Sequence, residues 1–140
     1  MCDNKHQDII SGQWCPYCDI PTVLIDSAEI YNGRSFGWAW ICKQCFAYVG
    51  CHKGSTDSLG RVANQSLRTI KRETHAVFDP LWIHLMNTSD YNKVEARTAM
   101  YMWLSLYTRI PLNECHIGMF DEEQCLETMH IIQKFHPFLI

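Results

Sequence analysis

The chain has 140 residues, of which 47% are hydrophobic and 12% aromatic, enough apolar material for a packed core and too much for a disordered segment. No run approaches the 18 apolar residues of a membrane span, and the start MCDNKHQDII lacks the basic-then-apolar pattern of a signal peptide, so a cytoplasmic protein without a membrane partner is expected. The net charge of −3 argues against a general polyanion binder, but seven bases and two acids lie between Arg34 and His75, a surplus of +5 that leaves −8 for the rest.

The first motif is WCPYC, residues 14–18. Cys-Pro-Tyr-Cys has the spacing of a glutaredoxin-type redox dithiol and equally that of a zinc knuckle. A redox dithiol sits where a buried strand meets a helix N-terminus, which lowers the first thiol's pKa. Upstream, residues 8–13 are short and polar for a central strand; downstream, Pro21-Thr22-Val23-Leu24-Ile25 is β-branched and reads as a strand. A helix after Cys18 is therefore not expected. A second pair, Cys42 and Cys45, completes C-x2-C-x23-C-x2-C. The segment between the pairs reads as a hairpin, residues 22–26 and 36–41, with Asn32-Gly33 as its turn. Strand pairing would bring the two knuckles together, so that Cys15, Cys18, Cys42 and Cys45 surround one tetrahedral zinc. Four protein ligands leave no open position, and the ion is expected to be structural.

Residues 46–49 read as a third strand, followed by a loop with Cys51, His52 and Lys53. The period then changes from two to about 3.6. Leu59, Val62, Ala63, Leu67, Ile70, Thr74, Val77 and Phe78 fit one face of a helix over about 58–78, capped by Asp57 or Ser58 and ended by Asp79-Pro80. On that helix Arg61, Arg68, Arg72 and His75 would share the opposite face. Residues 81–83 read as a short connection. A second helix is predicted over about 89–108 after Thr88 or Ser89, with Val94, Thr98, Tyr101 and Leu104 inward. A third, over about 121–135, starts at Asp121 with Gln124 three residues on, as in a capping box, and buries Cys125, Leu126, Met129, Ile132 and Phe135. The expected fold is α+β: a four-cysteine zinc ribbon over 1–56, a β-hairpin plus a third strand, packed on about three helices over 57–140 as one compact unit.

CPYC, VLIDSAEIYNGRSFG, CKQCFAYVGCHKG, LGRVAN, HAVFDPLW and ECHIGMFDEEQC, in this order, resemble a small zinc-finger-containing family of unknown function from bacteria and their phages. The resemblance runs from Cys15 to about Ile132. It implies the four cysteines as the zinc site and places His52, Lys53, Gly54, Leu59, Gly60, His75, Asp79, His116 and Asp121 in motif positions.

Three functions are compatible with these residues. The first is a nucleic-acid-associated module that meets phosphates of DNA or RNA through Arg34, Lys43, Lys53, Arg61, Arg68 and Arg72 in the basic segment 34–75, with Trp38 or Trp40 stacking on bases. The second is a protein-interaction or inhibitor module that docks on a host or phage protein through its aromatics and acidic C-terminal helix. The third is a hydrolase or nuclease that uses His52, His75, Asp79 and His116 as acid–base groups, His75 and Asp79 being one helical turn apart. A second zinc on Cys51, His52, Cys115 and His116 fits by residue type, although neighbouring residues seldom ligate one ion together.

Overall fold

The computed structural model describes the fold of residues 2–139 and the side chains of residues 5–136. The chain forms two compact units, Met1–Arg68 and Thr69–Ile140.

The first unit opens with helix α1 (Cys2–Ile10), which the sequence reading did not anticipate. Its apolar residues Ile9 and Ile10 cluster at the end, and Ile10 is buried. Gly12 follows at φ 80, where an added Cβ would lie 2.7 Å from the Gly60 carbonyl oxygen. Only glycine tolerates both the left-handed backbone and that approach. The Thr22 hydroxyl donates to the Gly12 carbonyl at 2.7 Å, and the Ser58 hydroxyl donates to the Ser11 carbonyl at 2.6 Å, fastening this corner.

Strands β1 (Trp14–Cys15) and β2 (Ile20–Pro21) pair antiparallel around the first knuckle, with Cys15 opposite Ile20. No helix follows Cys18, as expected. Strands β3 (Val23–Asp26), β4 (Trp38–Ile41) and β5 (Tyr48–Gly50) form an antiparallel sheet in the order β3-β4-β5. The anticipated hairpin exists, but its register closes at Asp26 opposite Trp38. Asn32 and Gly33 do adopt positive φ, 54° and 88°, yet they lie inside a longer connection that begins with a 3-10 turn at Ser27–Glu29. The Asp26 carboxylate accepts from the Ala28 amide at 2.9 Å and starts that turn in place of a tight reversal.

The first long helix starts later than predicted. Residues 58–63 run beside β5: the Leu59 amide donates to the Gly50 carbonyl at 2.9 Å, and Ala63 and Tyr48 exchange backbone hydrogen bonds at 2.9 and 3.2 Å. Val62 and Ala63 are buried in this extended stretch while Leu59 stays half exposed, so an apolar spacing that suits a helix is used by an added sheet edge. Asn64, not Asp57 or Ser58, is the cap. Its side-chain oxygen accepts from the Leu67 amide at 2.9 Å.

Helix α2 (Gln65–Thr88) continues through Pro80, where a stop was expected. Proline removes one amide donor, but Ala76 and Pro80 are exposed, so the freed carbonyl is open to water. Phe78 and Leu81 on either side are buried, and the Trp82 indole donates to the Asp79 carboxylate at 3.0 Å, holding the next turn. Residues 81–83 are accordingly helical. Helix α3 (Lys93–Thr108) begins at a capping box of Asn92 and Glu95 rather than at Thr88 or Ser89. Its inward residues are Ala96, Met100, Tyr101 and Leu104; Val94 is 71% exposed, contrary to its predicted inward position, and Thr98 is exposed. Helix α4 (Glu122–Leu139) has the predicted cap: Gln124 accepts from the Asp121 amide at 3.0 Å and Asp121 from the Gln124 amide at 2.8 Å. Cys125, Thr128, Ile131 and Ile132 are buried, whereas Leu126 is turned outward. Phe78 packs on Tyr101 with ring centroids 4.5 Å apart, and Tyr107 on Phe135 at 4.7 Å. These contacts bring α2, α3 and α4 together. The fold is thus α+β, small strands with four cysteines followed by three long helices in a bundle. Among the described residues no helix is long and apolar enough to cross a membrane.

Candidate metal centre and the ribbon surface

The two knuckles repeat one local geometry. The Asp19 amide donates to the Cys15 carbonyl and the Phe46 amide to the Cys42 carbonyl, both at 2.8 Å. Asp19 and Phe46 carry positive φ, 59° and 65°. In the first knuckle the Cys18 and Tyr17 amides reach the Cys15 sulfur; in the second the Cys45 and Gln44 amides reach that of Cys42. An x2 spacing suits this because a turn that tight aims two amides at the first sulfur and returns the second cysteine to the same side.

The four sulfurs lie within 4.8 Å of one another, and Cys15 and Cys45 are 3.6 Å apart. A regular tetrahedron with Zn–S bonds of about 2.3 Å has edges of about 3.8 Å. The donor set therefore fits a single structural zinc ion, held by Cys15, Cys18, Cys42 and Cys45. Cys15 and Cys42 are fully buried and Cys45 is exposed. In the metal-free chain burial pushes the Cys15 thiol up to about 11, against the pull of the Cys18 and Tyr17 amides. Burial opposes ionisation of Cys42 as well, but the Cys45 and Gln44 amides and the neighbouring thiols outweigh it and bring that thiol down to about 7. An ion held there would tie the ribbon core together: Cys15, Cys42, Ala47 and Val62 form one buried cluster, with Ile20, Trp40 and Val49 packed against it. Among the described residues no other group of three or more metal-capable side chains converges.

The basic residues are distributed differently from the expected stripe. Arg61 precedes α2 and is half-buried, so it does not share a helical face with Arg68 and Arg72. Arg68 is fastened to the ribbon. Its guanidinium donates to the Ala63 carbonyl and, at 3.1 Å, to the Gln65 side chain, and it stands 4.4 Å from the Tyr48 ring centroid. Arg72 is exposed on α2. Arg34 stands 5.4 Å from the centroid of exposed Phe36. Lys43, between the second pair of cysteines, is 3.9 Å from Glu29. His52 and Lys53 lie exposed in the loop after β5, where the His52 amide donates to the Asp57 carbonyl at 2.9 Å.

Of the acid–base candidates, His75, Asp79 and His116 belong to the helical unit. His75 Nδ1 lies 3.3 Å from Asp79 Oδ1, which also accepts from Trp82. The His116 ring packs on Tyr101 with centroids 5.0 Å apart, and the Tyr101 hydroxyl accepts from the Ile117 amide at 3.4 Å. Burial pushes the Tyr101 hydroxyl's pKa up; Arg97 opposes this and Asp79 reinforces it. Burial, then Arg97, pushes the His116 pKa down. His52 belongs to the ribbon unit. Trp82 and Arg97 escaped the sequence reading; only the i,i+3 spacing of Asp79 and Trp82 hints at the first.

No curated protein and no solved structure matches the chain. A zinc-finger-containing domain matches residues 11–135, which takes in both knuckles, the sheet and most of the three long helices. With that match and the four converging sulfurs, the chain belongs to the zinc-finger-containing domain family.

Proposed function

We propose that this zinc-binding module associates with nucleic acid through the ribbon surface. The observation that carries the reading is the pairing of a cation with an exposed aromatic ring there, Arg34 over Phe36, in a unit that also exposes Trp38. Guanidinium groups supply phosphate contacts and exposed rings supply base stacking, the two components of single-strand recognition. Exposed Lys43 and Lys53 add positive charge within the same ribbon unit.

The test is binding of the zinc-loaded chain to single- and double-stranded DNA and RNA across a salt series. Affinity should fall steeply with salt, and a combined Arg34→Glu, Lys53→Glu variant should bind far more weakly. Each lost phosphate contact should flatten the dependence of log K on log salt by about 0.7 to 0.9. Absence of salt-sensitive binding to every strand overturns the reading. A protein-interaction module would then be favoured by an apolar groove of about 640 Å³ in the helical unit, lined by Ala76, Val77, Pro80, Met129 and Ile132.

A further inference from the structure

The ribbon carries a cleft of about 400 Å³ whose lining includes four aromatic side chains, Tyr31, Phe36, Trp38 and Tyr48, with Leu59 and Cys51 beside them. Its size lies at the small end of the range of about 300 to 1,000 Å³ typical of small-molecule pockets. The rings stand nearly at right angles, Tyr31 to Phe36 at 88° with centroids 5.2 Å apart and Tyr31 to Tyr48 at 89° and 6.2 Å. Phe36 is 64% exposed, Trp38 46% and Tyr31 43%, a concentration of free aromatic surface that the ribbon core does not use. The cleft has one polar end, where the Tyr31 and Tyr48 side chains meet beside Arg68.

We infer that this cleft takes one unpaired nucleobase of a single-stranded nucleic acid, with a flanking phosphate on Arg34. The inference rests on the nucleic-acid reading above and narrows it to unpaired strands. Three features select the occupant. A flat, apolar-faced guest with a polar edge matches ring walls that end in two hydroxyls. Orthogonal aromatic rings also suit a methylated ammonium group. Here, however, guanidinium groups already stand over two of the rings and repel a cationic guest, while Arg34 attracts the phosphate beside a base. In a duplex both faces of a base are covered by its stacked neighbours, so insertion between these walls requires an unpaired base.

The experiment uses the zinc-loaded full chain with three probes of equal length: a homopolymeric single strand in DNA and RNA forms, the same backbone with abasic positions, and a duplex. The base-bearing strand should bind roughly 5- to 150-fold more tightly than the abasic strand, the range for loss of one base–aromatic stack. Phe36→Ala and, separately, Trp38→Ala should erase most of that ratio while binding to the abasic strand stays unchanged; both side chains are exposed, and retained zinc checks the fold. Fluorescence quenched by the base-bearing strand in the wild type should be lost in Trp38→Phe. Equal affinity for base-bearing and abasic strands, tighter binding to the duplex, or a ratio untouched by either alanine variant overturns the cleft proposal and leaves phosphate binding standing. Failure of every probe to bind overturns both.

Discussion

Asp19 and Phe46 occupy equivalent positions in the two knuckles: each is left-handed, and each donates its amide to the carbonyl of the first cysteine of its pair at 2.8 Å. The equivalence stops at the side chains. Asp19 is bound by Lys5 at 2.6 Å and by the Trp14 indole at 3.0 Å, whereas Phe46 is 65% exposed. A bulky residue in the left-handed region costs about 1 to 2 kcal/mol. Phe46→Gly should therefore leave the ribbon as stable or raise its stability by about 1 kcal/mol, and Phe46→Val should lower it, because β-branching fits that region worst. Competition of each variant with a zinc chelator measures the difference, since folding of the ribbon and metal binding are coupled.

The metal should be one zinc per chain. Substitution of serine for any one of Cys15, Cys18, Cys42 and Cys45 should abolish tight binding and loosen the ribbon, measured by elemental analysis and by loss of β-sheet signal. Zinc binds thiolates, so affinity rises with pH as bound protons become easier to displace. Cys15, at about 11, still holds its proton near neutrality, while Cys42, at about 7, has partly lost its own. The protons released per zinc should therefore decline as pH rises through about 7, which titration in weakly buffered solution reads directly.

Arg68 and Arg72 separate a structural arginine from a surface one. Arg68→Ala removes bonds to Ala63 and Gln65 and the contact with Tyr48, and should cost about 1 to 2 kcal/mol of ribbon stability. Arg72→Ala, at an exposed position, should stay within about 0.5 kcal/mol of the wild type. Denaturant midpoints of the two variants decide this. A charge reversal of both together would mix unfolding with lost binding, so Arg34 and Lys53 are the cleaner probes of phosphate contact.

Thr128 is fully buried on α4, and among the described residues its hydroxyl has no hydrogen-bond partner. A buried unsatisfied hydroxyl costs about 1 to 3 kcal/mol. Thr128→Val keeps the branched shape and removes the orphan, and should raise the stability of the helical unit by about 1 kcal/mol. A lower melting temperature would contradict this.

His116 has its pKa held below the usual histidine range by burial and by Arg97. In the unfolded chain it titrates near 6.5, so below that value the unfolded state binds more protons than the folded one. The stability contributed by keeping His116 neutral is complete above about 6.5 and is lost as pH falls toward the lower folded value. His116→Gln should flatten this part of the stability–pH curve relative to the wild type, with little change at pH 8.

What the sequence determined by itself is the set of features whose physics is local. Two cysteines at x2 spacing build a knuckle within five residues, and the Asp121–Gln124 box closes over four. The β-branched run after Pro21 argued against a helix beside the first cysteine pair, and the second pair at x2 spacing turned the reading from redox dithiol to zinc knuckle. The tertiary structure decided what depends on partners distant along the chain. Leu59, Val62 and Ala63 have helical spacing, yet Gly50 and Tyr48 offer unpaired backbone groups, and sheet hydrogen bonds claim the segment before a helix can. Pro80 is tolerated because the solvent side of α2 absorbs the lost bond while Phe78 and Leu81 stay buried. The inward face of α3 is set by what packs on Ala96 and Met100, which a period of 3.6 alone cannot phase. The aromatic cleft is of the same kind: Tyr31, Phe36, Trp38, Tyr48 and Leu59 are scattered through the ribbon sequence, and only the sheet and its long connection bring them to one wall.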